Sequence, residues 1–324
     1  MDTLAYGDIK QAVERIAGRV RPVVTVPLGE WGEWGESAGL VPQDCRVHLA
    51  LEYMQHTGSF KARGAQNFIL AHREAGTLPE RAGITIASGG NAGMACAWAA
   101  GQQGVRATVF LPTTAPEVKV AKLRGYGADV RLVGEQYADA LAACERFAAS
   151  TGALASHAYD HPFIAAGAGT LLEEIHAQIP DLDTVIVVVG GGGLFAGVAT
   201  AAQQHGIRTV AVEPEYCRAL NAAIEAGEPV DVELDSVAAD SLGARRASRT
   251  ALTAATRGLV ESVLVSDAEL IAARQFLWDH RRIVVEHGTA AALAALLADG
   301  YRPSIGEKVC VVLCGANTDP GGLA

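Results

Sequence analysis

An α/β fold built from parallel sheets is predicted by three features of the 324-residue chain. Short apolar runs recur along it, segments of helical period separate them, and glycine-rich breaks stand where several runs end. Near-continuous apolar strands alternating with helices are what a sheet covered on both faces requires. The first run, RVHLALEYM (46–54), reads as a strand, and SFKARGAQNFILAHREAG (59–76) carries a helix that Gly76 stops. ITIAS precedes a helix from about residue 91, RATVFLP one from about residue 115, and ADVRLV one running to Ser150. TVIVVV (184–189) leads to a helix from about Leu194; RTVAVE (208–213) and a last strand, KVCVVL (308–313), complete the pattern. No Pro/Ser-rich linker or internal repeat divides the chain, so a second domain must be inserted within the first. EAGEPVDVELD (225–235) reads as an exposed connection.

Composition narrows the function. Half of the residues are hydrophobic and 19% are charged, which describes a folded protein rather than a disordered one. A net charge of -10 without Lys/Arg blocks argues against nucleic acid or an anionic membrane surface as partner. The N-terminus lacks the basic and apolar regions of a signal peptide, and no uninterrupted apolar stretch approaches the ~18 residues of a membrane span. Six scattered cysteines (45, 96, 144, 217, 310, 314), with no C-x-x-C pair, read as reduced core thiols in the cytoplasm.

Chemistry concentrates at the glycine breaks. In VIVVVGGGGLFAG (185–197), a buried strand meets four glycines and then a small-residue helix. Backbone N–H groups there, reinforced by the helix dipole, form a seat for phosphate. Gly191, Gly193 and Ala196 also fit a dinucleotide fingerprint, with Glu213 at the distance of its ribose-binding acid, so an NAD-dependent dehydrogenase is a competing reading of this segment. In ITIASGGNAGMACAWAA (84–100), Ser88 and Asn91 bracket Gly89 and Gly90, and Asn91 is placed to cap the next helix or to help grip a carboxylate. In KVCVVLCGANTD (308–319), Cys310 and Cys314 are four apart on the expected strand and share a side, with Cys314 at the ligand-binding edge.

Taken in order, GSFKARGA (58–65), SGGNAGMA (88–95), PTTAPEVKVAKLRGYGADV (112–130), AGAGT (166–170), GGGGL (190–194) and VLCGAN (312–317) resemble the fold type II pyridoxal-phosphate enzymes, specifically the serine/threonine dehydratase (threonine ammonia-lyase) family. The resemblance implies a tryptophan synthase beta-like architecture of two nested open α/β domains: a large cofactor domain from residues 1–69 and 158–324, and a small one from 70–157. It implies that Lys61 is the Schiff-base lysine and the base for the substrate's Cα proton, with Phe60 beside the pyridine ring. Gly190, Gly191, Gly192, Gly193 and the Leu194 N–H would cradle the phosphate. Asn91 would bond the phenolic oxygen, Cys314 would face the pyridine nitrogen, and Ser88, Gly89, Gly90, Asn91 and Ala92 would hold the substrate carboxylate.

The implied reaction converts L-threonine or L-serine to a 2-oxo acid and ammonia by α,β-elimination. Racemases of this branch carry a serine where this chain has Gly89, which leaves Lys61 as a one-sided base. A β-replacement synthase, a hydroxyaspartate dehydratase and an amino-acid racemase are the alternatives within the cofactor class. The family's cation site is half present: Glu213 matches a carboxylate ligand, but the later acidic position falls on Ala219, so a monovalent cation is the expected occupant if any. A small amino-acid substrate, no membrane or nucleic-acid partner, and a homodimer complete the expectation. His56, His157, His161 and His287 read as surface or satisfied histidines, and Arg63 as a helix-surface residue or a support near the cofactor. Glu286 aligns with a family glutamate beneath the ring. The tryptophans at 31, 34, 98 and 278 are too dispersed for a stacking platform.

Overall fold

The computed structural model describes residues 3–28 and 45–323, so Trp31 and Trp34 lie outside the described residues. The elements in chain order are α1 (Tyr6–Ile16), β1 (Thr25–Pro27), β2 (Arg46–Ala50), α2 (Lys61–Glu74), β3 (Ile84–Ala87), α3 (Asn91–Gln102), β4 (Ala107–Leu111), α4 (Glu117–Gly125), β5 (Asp129–Leu132), α5 (Tyr137–Thr151) and β6 (Leu154–Ala155). They continue with α6 (Pro162–Gln178), β7 (Thr184–Val188), α7 (Gly193–His205), β8 (Arg208–Pro214), α8 (Ala219–Ala226), α9 (Ala239–Leu242), α10 (Arg249–Arg257), β9 (Val260–Val265), α11 (Asp267–Arg281), α12 (His287–Leu297) and β10 (Lys308–Val312).

The strands form two sheets. The larger has the order β1-β2-β10-β7-β8-β9 and the smaller β5-β4-β3-β6. Every pairing is parallel except that of β1 with β2. The smaller sheet therefore interrupts the larger between β2 and β7. Both faces of β7 and β4 are buried, as the unbroken apolar runs require. Helix α12, alanine-rich and buried along most of its length, covers one face of the large sheet's centre.

Three local expectations shift. The run at 46–54 is a strand only to Ala50; Glu52–Met54 and His56–Gly58 are 3-10 turns. The ladder ends there because the Glu52 carboxylate turns inward to Arg63, and Thr57 and Gly58 both adopt left-handed φ (62° and 75°). Helix α4 starts at Glu117 because Pro116, its N-cap, disfavours the helical region for the residue before it. Cys314 is not on the strand with Cys310: β10 ends at Val312, and the chain leaves the ladder to bridge Gly315 with Ser59.

AGAGT (166–170) is a packing notch in α6. A Cβ on Gly167 would lie 2.7 Å from the Arg63 carbonyl oxygen, and one on Gly197 would lie 2.3 Å from that of Ala165. The backbones of α2, α6 and α7 meet there almost directly, which fixes the start of α2 relative to the start of α7.

Candidate active site

Lys61 is the first residue of α2. The two left-handed residues before it reverse the chain, a conformation that costs a threonine of order 1 kcal/mol. Asn317 holds this reversal by donating from Nδ2 to the Thr57 carbonyl at 2.7 Å. Phe60 N then donates to the Cys314 carbonyl (2.9 Å), tying the lysine segment to the end of β10. The ammonium stands 4.7 Å from the Phe60 ring centroid and donates to the Ala158 carbonyl at 2.8 Å.

Burial lowers the pKa of Lys61 to about 8, against the opposing pull of Cys314 and Glu286. Burial also pushes the Cys314 thiol up to about 12. At neutral pH that sulfur is therefore an uncharged S–H. Burial raises the Glu286 carboxyl as well, against the hydrogen bonds it accepts from Asn91 and from Asn317 N. Thr289 Oγ1 gives its proton to the Gly315 carbonyl (2.9 Å). In its 3.3 Å contact with Cys314 it accepts, and the thiol donates. A lowered lysine pKa has a measurable consequence. Reductive alkylation of the cofactor-free protein by formaldehyde and cyanoborohydride should modify Lys61 with a rate inflecting near pH 8, against ~10.4 for an ordinary lysine. An inflection above pH ~10, read by peptide mapping, would remove burial as the activating cause.

The glycine turn opens α7. Gly192 is its N-cap with φ of 94°, a conformation that favours glycine. A Cβ on Gly191 would sit 2.4 Å from the Tyr159 ring, and one on Gly193 2.9 Å from the Tyr159 carbonyl oxygen. The turn thus tolerates no side chain at these positions, and the first N–H groups of α7, Leu194 among them, lack intrahelical acceptors. Leu242 closes the other side, 3.2 Å from a Cβ built on Gly190. Segment Ala158–Tyr159 touches both the amine and the turn. Nothing in its sequence marks it for that role.

Ser88–Ala92 forms the turn into α3. Its N-cap is Gly90, not Asn91, with no side-chain capping bond. The Asn91 carboxamide is engaged elsewhere: Nδ2 donates to both Glu286 oxygens (2.8 and 3.1 Å), and Oδ1 accepts from Asn317 Nδ2 (2.7 Å). Ser88 Oγ accepts from Gly90 N at 3.4 Å. A Cβ on Gly89 would lie 2.5 Å from Leu111 Cδ2, so a side chain fits there only if the leucine moves.

The remaining sequence-marked residues divide. Glu213 is fully buried and gives one oxygen each to Leu220 N and Asn221 N (both 2.7 Å), which caps α8. It is not turned toward the glycine turn as a dinucleotide's ribose would require. Among the described residues no cluster of three or more His, Cys, Asp or Glu is arranged to hold a metal. His161 caps α6, His157 accepts from Tyr159 N and Asp160 N, and His56 stacks on Trp98 at 4.6 Å. All six cysteines are free and buried. Arg63 is neither on the surface nor at the amine: it is fully buried between Glu52 and Glu174. Asn317 and Thr289 were not singled out by sequence. The one available signal was the place of Asn317 just past a strand's C-terminal end.

The family model described as pyridoxal-phosphate dependent enzyme matches residues 37–315. The L-threonine ammonia-lyase of Geobacter sulfurreducens is 34% identical over 320 residues, 98% of this chain and 76% of that protein. The phenylserine dehydratase of Ralstonia pickettii is 36% identical over 327 residues, 100% of this chain and 97% of that protein. Among solved structures, maize serine racemase superposes with a TM-score of 0.89 at 27% identity, covering 100% of this chain and 96% of the racemase.

Proposed function

The chain belongs to the pyridoxal-phosphate dependent enzymes, and from that premise we propose that it deaminates L-serine or L-threonine by α,β-elimination at the site around Lys61. The protein is an ammonia-lyase of the serine/threonine dehydratase type. Its residues fit the cofactor: a buried amine of lowered pKa, a glycine turn in which a Cβ would collide with Tyr159, and an uncharged thiol in the electrostatic range of the amine. Ser59 Oγ, fully buried two residues before Lys61 and without a protein partner, is a further polar atom at this edge. When bound, the cofactor supplies the electron sink for the charge left as the Cα proton departs.

The chain's own groups do the rest. Lys61 would hold the cofactor, and as a free amine it is the group that would take the substrate's Cα proton. Gly190–Gly193 and the Leu194 N–H would hold the phosphate. Asn91 would donate toward the phenolic oxygen, Phe60 would pack beside the ring, and Cys314 would face the pyridine nitrogen. A neutral thiol there would withhold the charge that an acid would supply, so the sink would be weaker and prompt loss of the β-hydroxyl favoured. The Cα proton and the β-hydroxyl together make up one water lost; the released enamine tautomerises to an imine, which takes up one water to give the 2-oxo acid and ammonia.

We take residues 70–157 as a small domain whose Ser88–Ala92 turn closes on the substrate carboxylate. The ion pair of Lys119 on α4 with Asp240 on α9 (2.6 Å) supports such an approach. A homodimer, a cytoplasmic location suited to six free thiols, and a monovalent cation near Glu213 belong to the same reading. No helix among the described residues is long and apolar enough to cross a membrane.

One observation separates elimination from racemisation: the position after Ser88 is a glycine against Leu111, so it offers no second base opposite Lys61. Purified enzyme should release ammonia and 2-oxo acid from L-serine or L-threonine, with D-serine formation below about a hundredth of that rate, the low end of what one proton-transfer group contributes. Gly89→Ser should raise D-serine formation at least tenfold. Failure of every L-hydroxy amino acid to release ammonia would overturn the elimination reading. Racemisation by the unaltered enzyme at a rate comparable to deamination would overturn the one-sided base.

A further inference from the structure

The Asn91 carboxamide is held in one orientation from both ends. Nδ2 faces a carboxylate, and Oδ1 faces the Asn317 Nδ2 donor. Rotating it by 180° would put oxygen against carboxylate and N–H against N–H, breaking both contacts. The two groups that fix it lie on separate loops, before α12 and after β10. Asn317 N donates to Glu286 Oε1 (2.9 Å), and Glu286 N to the Gly315 carbonyl (3.1 Å). Neither loop is a regular element, so their spacing needs an independent restraint.

Arg274, an interior residue of α11 that is 5% exposed, provides one. Its Nε donates to the carbonyl of Val285, immediately before Glu286, at 2.9 Å. Its Nη2 donates to the Asp319 carbonyl at 2.8 Å and to Thr318 Oγ1 at 3.4 Å, immediately after Asn317. None of these acceptors is a carboxylate: a buried guanidinium is spent on holding two strips of main chain. A planar fork with fixed N–H directions can span two carbonyls at once, which a lysine ammonium on a flexible stem does far less well.

We propose that Arg274 is a positioning residue for the reaction: by clamping the Val285 and Thr318–Asp319 main chain it sets the Glu286–Asn317 pair that aims the Asn91 amide into the site. Of the two Asn91 Nδ2 protons, the Glu286 carboxylate takes one, shared between its oxygens, and the other is the donor left for the cofactor's phenolic oxygen. The inference rests on the cofactor reading above. It extends that reading to a residue that touches neither cofactor nor substrate.

The test uses the holoenzyme with Arg274→Lys, Arg274→Met, Asn317→Ala and the Arg274→Lys/Asn317→Ala double variant. The readouts are the visible cofactor band across pH, kcat, KM and the thermal midpoint. Loosening the clamp should shift the band or its pH midpoint and lower kcat about ten- to a hundredfold, the scale of a misplacement remote from the chemistry, with KM changed less than about threefold. Arg274→Lys should fall between the wild type and Arg274→Met. In the double variant the losses should be less than multiplicative, since the two share the path through Asn91, while the Thr57 contact is lost equally in Asn317→Ala and in the double variant. A lowered thermal midpoint with band and kcat unchanged would make Arg274 merely structural and overturn the proposal, as would multiplicative losses in the double variant. If Arg274→Met does not fold, the lysine variant and the double variant still decide. A wild type with no visible band would instead sink the cofactor reading, a distinct failure.

Discussion

Replacing Lys61 with alanine should abolish the reducible cofactor adduct and lower ammonia release by about 10⁴-fold, the upper end for one positioned proton-transfer group, since the same amine is tether and base. Borohydride reduction followed by peptide mapping reads the first effect, and a 2-oxo acid assay the second. The fold should not suffer. Lys61 is a buried amine whose charge is opposed by its surroundings, so its removal deletes an unfavourable burial and one hydrogen bond, to Ala158. The thermal midpoint of the cofactor-free variant should therefore match or exceed that of the cofactor-free wild type. A variant keeping more than a tenth of the activity would remove Lys61 from the chemistry.

The largest stability effect is expected two residues on. Arg63 Nε and Nη2 bind Glu52 at 2.7 and 3.0 Å, while Nη1 and Nη2 bind Glu174 at 2.7 and 2.8 Å. Burial alone would lower the guanidinium's pKa, yet the two carboxylates hold it raised and charged. Arg63→Met leaves two carboxylates facing each other without a cation. Breaking a buried pair in this way costs about 3–5 kcal/mol. Most of it should come from Glu52, since the Glu174 side chain is 31% exposed and can turn to water. Denaturant titration of the cofactor-free protein measures the loss. Adding Glu52→Leu to Arg63→Met should recover part of it, because an apolar replacement removes the stranded charge. A loss under about 1 kcal/mol would show that the triad is not what anchors the start of α2.

Both residues stand in GSFKARGA, yet only one is legible there. An amine between an aromatic ring and a helix start, in a chain that also carries a four-glycine turn, has a chemical meaning that the sequence itself conveys. Arg63 has none in isolation, since a surface arginine and a buried one look alike in sequence. Its partners come from the turn at Glu52 and from α6 at Glu174, 111 residues away. Cys314 shows the opposite limit: the sequence proposes it for the ligand edge but misjudges its placement. The strand was expected to carry it, while the ladder ends two residues earlier because Gly315 pairs with Ser59.

The sequence alone determined the parallel α/β layers and the strand–glycine–helix junctions, and it singled out Lys61 as the candidate reactive amine. Each is written in neighbouring residues through apolar period, missing side chains and helix starts. Tertiary structure decided how the polar groups pair. Asn91 meets Glu286 across 195 residues and Asn317 across 226, and it gives up the capping role its neighbours suggest. No periodicity encodes such contacts. They exist because burial leaves each polar atom to find a partner in whatever the fold brings within 3 Å or so, and only the assembled sheets determine what that is.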